Sequence, residues 1–191
     1  MYNFRISAEE YFIGETFLAS QRSNCIRRRC GAVLVKDGHV IATGYNGTPS
    51  GMKNCYEGGC ERCNDGTPSG QGYDRCLCVH SEENCIAQCS RFGISSQNST
   101  CYITMEPCFG CLRLMIQSGI KKIVYGESSK YENEESRQKL ISVYNYSYFQ
   151  PNGTGIIGPG GGNKAYKEDY RQCKTWKPVA DAIANIGLVG Q

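Results

Sequence analysis

The chain has 191 residues, a formal net charge of +3 and charged residues at 20% of its positions. This length suits a single domain over residues 1–191, because two domains would each have a small core. The weak positive charge does not favour a nucleic-acid surface, and no apolar run approaches the length of a membrane span.

The first predicted elements are a helix and a hairpin. A serine cap, an acidic first turn and apolar residues at helical spacing predict a helix over about residues 8–23. Two short apolar runs at 31–35 and 40–44 then flank the turn residues Asp37 and Gly38. Apolar runs on either side of such a turn predict an antiparallel hairpin.

The next predicted elements alternate helix and strand. A helix begins at His80 and ends before Gly93, and a strand, a helix and a second strand follow at 100–105, 108–118 and 121–126. Strand, helix and strand in succession predict a right-handed parallel crossover. With the hairpin, this predicts a mixed central sheet with helices on both faces, which is an α/β fold built as a three-layer αβα sandwich.

Two segments fall outside this pattern. Residues 55–78 are a polar loop rich in Gly, Pro and Cys, and a loop of this length is rare unless something holds it in place. Residues 146–191 are a C-terminal extension without an assigned role, in which a short helix is predicted near 179–186. The Gly-rich part of the extension, 152–163, lacks the Gly-Lys-Ser/Thr ending of a phosphate-binding loop.

One pattern carries the predicted chemistry. His80 stands two residues before Glu82, and a later Pro-Cys-x-x-Cys contains Cys108 and Cys111. This combination resembles the signature of zinc-dependent nucleobase deaminases. One imidazole and two thiolates leave the fourth position of a tetrahedral zinc open for water. The other histidine, His39, follows the hairpin turn and is predicted to be exposed.

The Cys-x-x-Cys pattern alone has other interpretations. Cys108 and Cys111 fit a redox pair or half of a structural zinc site, and cysteine is also an ordinary core residue. The preceding strand-like residues 101–104 and the histidine-glutamate pair favour a catalytic zinc. We therefore predict that His80, Cys108 and Cys111 are its ligands and that Glu82 is the catalytic proton carrier.

Thirteen cysteines are a high count, and residues 1–5 lack an apolar signal stretch. A reducing, cytoplasmic location is therefore expected, with cysteines that bind metal. Five fall within 24 residues of the polar loop: Cys55, Cys60, Cys63, Cys76 and Cys78. A second, structural zinc on Cys55, Cys60, Cys63 and Cys78 would hold the loop, with Cys76 as the alternative fourth ligand. Reduced cysteines packed as small apolar side chains are the other interpretation.

Longer segments carry a family resemblance. The chain resembles the zinc-dependent cytidine and deoxycytidylate deaminase superfamily over residues 5–145, and most of all its deoxycytidylate (dCMP) branch. The shared segments are Cys25-x-Arg27 before Gly31-Ala32-Val33-Leu34-Val35, then Gly44-Tyr45-Asn46-Gly47-Thr48-Pro49, His80-x-Glu82-x-Asn84, Pro107-Cys108-x-x-Cys111 and, more weakly, Ser129-Lys130-Tyr131. The resemblance implies the cytidine deaminase-like fold.

Three positions depart from the pattern of this family. Ser81 and Cys85 stand where the family usually has Ala, and Cys30 stands where it usually has Val. These side chains are small or similar in volume, so the fold is expected to be kept. Because Ser81 adjoins the metal-binding histidine, it is expected to affect how the base is held.

The resemblance also implies a reaction, the hydrolytic deamination of dCMP to dUMP with release of ammonia. Zinc-activated water attacks cytosine C4, and Glu82 carries its proton to ring nitrogen N3 and then to the departing amine. Asn46 resembles the sugar-contacting asparagine of the family, although a simple turn residue is its other interpretation. Ser81 is a candidate base contact, and Arg27 and Tyr131 are candidate phosphate contacts.

Two other classes of function remain open. A related deaminase of a modified deoxycytidylate, a cytidine nucleoside, a guanine-type base or an RNA base is one, because Glu106 before the Pro-Cys pair resembles the guanine and tRNA-adenosine branches. A non-catalytic zinc module is the other, although a glutamate beside an open metal position argues against it. The expected partners are a nucleotide substrate, nucleotide effectors and further copies in a homo-oligomer, with no membrane or nucleic acid.

Overall fold

The computed structural model of the protein describes residues 7–68, 70–126, 134–142 and 146–148. In chain order the elements are α1 (Ala8–Ser20), β1 (Gly31–Lys36), β2 (His39–Tyr45), α2 (Glu61–Asn64), α3 (Ser81–Phe92), β3 (Thr100–Ile103), α4 (Phe109–Gln117), β4 (Lys122–Tyr125), α5 (Glu134–Ile141) and β5 (Tyr146–Tyr148). None of the helices in this part of the chain is long and apolar enough to cross a membrane.

The sheet has five strands in the order β2-β1-β3-β4-β5. Strand β1 pairs antiparallel with both β2 and β3, whereas β3 pairs parallel with β4 and β4 pairs parallel with β5. The predicted hairpin, the parallel crossover through α4 and the mixed character of the sheet are therefore confirmed.

Two cores lie on opposite faces of the sheet. Helix α1 packs Phe12, Ile13 and Phe17 against side chains of β1, β3 and β4 on one face. On the other face, α3 and α4 cover a second core that includes Leu34 and Leu112. Since successive side chains of a strand point to opposite faces, the central strand β1 is apolar from Ala32 to Val35. The predicted αβα sandwich is confirmed.

Helix α1 is shorter than predicted. It ends at Ser20, whereas the sequence pattern extends to residue 23. Its last turn tightens because the N–H groups of Gln21 and Arg22 bond the carbonyls three residues back, at Leu18 and Ala19. Such i to i−3 bonds commonly end a helix, and the chain then turns toward β1.

A glycine allows α3 to lie close to the sheet. A Cβ atom at Gly44 in β2 would overlap the carbonyl oxygen of Ser81 and crowd the backbone nitrogen of Cys85. The absence of a side chain therefore brings the first turn of α3 against the end of β2. This close approach fixes the position of His80, the residue immediately before the helix.

Some predictions fall outside the described residues. These are Tyr131, the Gly-rich segment 152–163 and the helix near 179–186. The single domain over residues 1–191 stays a prediction for the same reason.

Candidate active site

The three predicted ligands of the catalytic zinc come together at two helix starts. His80 directly precedes α3, Cys108 directly precedes α4, and Cys111 lies in the first turn of α4. The Nδ1 atom of His80 lies 3.6 Å from the Sγ of Cys108 and 3.4 Å from the Sγ of Cys111. These two helices pack on the same face of the sheet, so their first turns meet.

The spacing of these three atoms fits a zinc ion. With Zn–N near 2.0–2.1 Å and Zn–S near 2.3 Å, tetrahedral angles place a nitrogen ligand about 3.6 Å from a sulfur ligand. The distances from His80 Nδ1 are 3.6 and 3.4 Å. One nitrogen and two sulfurs are also the donor types that zinc prefers.

The local electrostatics favour a thiolate at Cys108. Its pKa is lowered to about 4, first by the hydrogen bond with Cys111 and also by the imidazole of His80, although burial opposes the shift. The start of α4 adds the positive end of a helix dipole. An ionised sulfur is the form that binds a metal.

Glu82 lies in the first turn of α3 and is only 5% exposed. Burial raises the pKa of this carboxyl, and the imidazole of His80 opposes the shift. The hydroxyl of Ser81 donates a hydrogen bond of 2.8 Å to Glu82 Oε2. The result is a fixed carboxyl group with a perturbed proton affinity, which is a common property of catalytic acids and bases.

Asn46 joins the end of β2 to α3. Its Oδ1 accepts the backbone N–H of Ser81 at 2.9 Å, and its Nδ2 makes only a long contact of 3.5 Å with the carbonyl of Arg28. Ser81 is fully buried, and its hydroxyl contacts Glu82. The structure thus places Asn46 in the lining of the cleft and directs the Ser81 hydroxyl at Glu82.

A cleft opens above these residues. It encloses about 580 Å³, open solvent at its mouth included. Asn46, His80, Glu82, Cys108 and Arg27 all line it. The Arg27 guanidinium donates to the carbonyl of Thr67 at 2.7 Å across the cysteine-rich loop.

The lining residues outside the predicted site include four with charged or aromatic side chains: Arg28, Arg62, Tyr73 and Glu106. The ring of Tyr73 stands edge-on to His80 with centroids 5.3 Å apart, and Arg62 lies 5.0 Å from the centroid of the Tyr73 ring. Nothing in the sequence separates Tyr73 from the other tyrosines, of which the chain has 13 in total. The fold of the loop brings it to the cleft.

Glu106 is held by a buried ion pair. Arg137 of α5 is fully buried and donates to Glu106 at 2.7 Å and to Glu134 at 2.6 Å. The side chain of Glu106 is 8% exposed. The second carboxylate of the cleft is therefore engaged by a guanidinium.

The predicted structural ligands are also buried together. Cys55, Cys63 and Cys78 form one group of neighbouring sulfurs with Cys25, and Cys60 forms another with Cys63, Cys76 and Cys78. In the described part of the chain, the predicted set of Cys55, Cys60, Cys63 and Cys78 does not appear as one group. The sequence interpretation had not included Cys25, which lies far upstream of the loop.

Comparison with known proteins gives consistent results. Residues 6–127 match the family described as the cytidine and deoxycytidylate deaminase zinc-binding region. The deoxycytidylate deaminases of Schizosaccharomyces pombe and Saccharomyces cerevisiae are 47% and 44% identical to this chain over 125 and 148 residues, or 65% and 75% of it. These matches cover 38% and 46% of the two yeast proteins, so the chain spans less than half of their length.

A solved structure is similar as well. The crystal structure of dCMP deaminase from the cyanophage S-TIM5, in complex with dCMP and dUMP, has a TM-score of 0.59 and 26% sequence identity. The similarity covers 77% of this chain and 100% of that chain. Every helix and strand that builds the cleft lies in the part of the chain that the family covers.

Proposed function

Because the chain belongs to the cytidine and deoxycytidylate deaminase zinc-binding family, we propose that it hydrolyses dCMP to dUMP and ammonia. The observation that carries this proposal is the buried Glu82 beside the group of His80, Cys108 and Cys111 in one cleft. The similar cyanophage dCMP deaminase, solved with dCMP and dUMP, supports this choice of substrate. The enzyme would be a hydrolase that acts on a cyclic amidine.

The proposed reaction assigns one role to the metal and one to Glu82. A zinc ion on His80, Cys108 and Cys111 would supply a water whose pKa is lowered toward ~7. Glu82 accepts a proton from this water as oxygen bonds to C4 of cytosine, and it delivers the proton to N3. Glu82 then takes the proton of the new C4 hydroxyl and gives it to the amine, as the C4–N bond breaks and the C4=O bond of uracil forms. The balance is one water consumed and one ammonia released.

The neighbours of Glu82 hold it for both transfers. The Ser81 hydroxyl fixes one carboxylate oxygen, and the Asn46 amide fixes the backbone of Ser81. Since the Oδ1 of Asn46 is already used, its Nδ2 is the atom that can donate to an oxygen of the sugar. Asn46 therefore has a structural and a substrate-binding role in this proposal.

The phosphate is assigned to the arginine side of the cleft, where Arg27 and Arg28 stand. Charge-assisted hydrogen bonds from a guanidinium would favour the nucleotide over the nucleoside. We expect dCMP to have a much higher kcat/KM than deoxycytidine, and Arg27→Gln to reduce that ratio. Arg29→Gln is the control, because Arg29 is exposed and does not line the cleft. Equal values for the two substrates in the unmutated protein would contradict the phosphate assignment.

The test of the reaction itself is ammonia release. The zinc-loaded protein is incubated with dCMP, deoxycytidine, guanine and an adenosine-containing RNA, and we expect dCMP to be the best substrate. Release from guanine or RNA with none from dCMP would replace the proposed substrate. Absence of release from all four would favour a non-catalytic zinc module.

The proposal has two further parts. We propose that the protein is a homo-oligomer that responds to nucleotide effectors. Light scattering measures the oligomeric state, and rates of ammonia release with and without added nucleotides measure the response. We also propose that the cysteine-rich loop holds structural zinc. The group of buried cysteines and the donor chemistry support this last part.

A further inference from the structure

Six cysteines meet beneath the loop between β2 and α3. Five of them are buried, at 0–7% exposure, and the sixth is half-buried: Cys25, Cys55, Cys60, Cys63 and Cys78, with Cys76. Their sulfurs fall into two groups of four, and within each group all sulfurs lie within 4.8 Å of one another. The two groups have Cys63 and Cys78 in common.

The sulfur spacing matches metal ligation and differs from disulfide bonding. In a zinc tetrahedron with Zn–S near 2.3 Å, neighbouring sulfurs are about 3.8 Å apart. Cys63 lies 3.8 Å from Cys25 and 3.8 Å from Cys76. Cys60 and Cys76 are 3.8 Å apart, and Cys63 and Cys78 are 3.9 Å apart. A disulfide requires about 2.05 Å, and all six cysteines are free.

We propose that these six cysteines bind two zinc ions as one binuclear thiolate cluster. Cys25 and Cys55 hold only the first ion, Cys60 and Cys76 hold only the second, and Cys63 and Cys78 bridge the two. Two separate four-sulfur sites would need eight sulfurs, and the described residues bring six together. Both groups can therefore hold a metal ion at the same time only if they share ligands.

The charge balance is compatible with a second ion. One Zn²⁺ on four thiolates carries a net charge of about −2, and two Zn²⁺ on six thiolates also carry about −2. The second ion thus recruits Cys60 and Cys76 without adding buried charge. In contrast, a single ion would leave two thiols of the cluster without a metal.

Apart from its cysteines, the loop buries few apolar side chains. Three of its larger side chains, Met52, Tyr56 and Leu77, are 45%, 62% and 46% exposed, and Tyr73 is half-buried at the cleft. The loop therefore has little apolar surface of its own in its interior, and packed thiols alone would give it little stability. The backbone N–H of Leu77 donates a hydrogen bond to the Sγ of Cys60 at 3.3 Å. Groups outside the coordination sphere of a metal commonly form such bonds to the ligands.

The cluster also forms one wall of the active-site cleft. Cys25, Cys63, Cys76 and Cys78 line the cleft, and Cys78 stands two residues before His80. Arg62 and Tyr73 reach the cleft from segments that lie between cluster cysteines. The two ions would thus order the loop that closes this side of the site.

Metal analysis of the full chain with paired variants tests the proposal. Cys60→Ser/Cys76→Ser and Cys25→Ser/Cys55→Ser should each lose one zinc per chain, from a total of three with the catalytic ion. Cys89→Ser is the control and should lose none, since Cys89 lies in the core beneath α3. An unchanged zinc content in either double variant would overturn the binuclear cluster and leave one four-cysteine site. An unchanged content in both would leave no metal in the loop.

A second measurement needs no substitution and serves where a double variant does not fold. The unmutated chain is reconstituted with ¹¹³Cd, and two of its cadmium resonances should show spin coupling to each other through the shared sulfurs. A spectrum without such coupling would overturn the proposal. Neither measurement involves substrate, so both outcomes are independent of whether the protein deaminates dCMP.

Discussion

Replacement of Glu82 by glutamine separates chemistry from structure at this site. Glutamine has nearly the same shape, and its side-chain oxygen can still accept the Ser81 hydroxyl bond now made at 2.8 Å. What it lacks is the ability to take a proton from water and pass it on. Since Glu82 is not a metal ligand in the proposed site, Glu82→Gln should keep the fold and the zinc content.

The expected loss of rate is large. General acid-base catalysis contributes roughly 10²–10⁴-fold, and Glu82 serves in each of the proton transfers. Turnover should therefore fall at least ~100-fold, which corresponds to about 2.7 kcal/mol of transition-state stabilisation. Steady-state ammonia release measures the rate, while metal analysis and thermal unfolding check that the site and fold remain.

The adjacent glutamate provides a matched control. Glu83 Oε2 accepts the backbone N–H of His80 at 2.8 Å and does not line the cleft. A glutamine at that position can accept the same bond, so Glu83→Gln should retain most of the activity. Near-normal turnover in Glu82→Gln would refute the assignment. Glu106, the other carboxylate that lines the cleft, would then be the candidate proton carrier, and Glu106→Gln would be the variant to measure.

Three further predictions concern stability. Arg137→Met should lower the free energy of unfolding by ~3–5 kcal/mol, because it leaves the buried carboxylate of Glu106 without its guanidinium. Urea unfolding measures this loss, and the double variant Glu106→Gln/Arg137→Met should recover most of it. Gly44→Ala should lower the free energy of unfolding by ~1–3 kcal/mol and reduce turnover, because the added Cβ overlaps the Ser81 carbonyl and displaces α3. A variant as stable as the unmutated protein would show that the helix can shift freely. Removal of metal with a chelator should expose residues 55–78 to protease, since structural zinc supplies ~10–16 kcal/mol in small domains; a loop that stays resistant would be ordered without metal.

The sequence alone determined the elements and the local chemistry. Periodicity and turn residues predicted the helices at α1, α3 and α4 and the hairpin of β1 and β2, because these depend on neighbours within a few residues. The spacing in His80-x-Glu82 and in Cys108-x-x-Cys111 also acts locally, since each pair sits on a single helix start. The family match and the similar solved structure confirm the predicted family and fold class.

The orientation of polar side chains was decided by tertiary structure. The hydroxyl of Ser81 donates to Glu82, and the close packing of α3 on Gly44 leaves Ser81 fully buried. The contact of Ser81 with the base stays a prediction. Arg137 gave no signal in the sequence, but α5 places it against Glu106 from 31 residues away. Burial of a charge requires a partner, and the sequence does not say which one the fold brings.

The cysteine cluster shows most clearly which features the sequence predicts and which the tertiary structure decides. The sequence predicted metal-binding cysteines in the loop, since five of them stand within 24 residues in a segment too polar to fold by burial. It did not predict Cys25, which precedes β1 and lies 38 residues from its neighbour Cys63. Spacing along the chain can identify ligands that share one turn or loop. The sixth cysteine joins them only because the connection between α1 and β1 packs against that loop, and such long-range contact is set by the assembled sheet and helices.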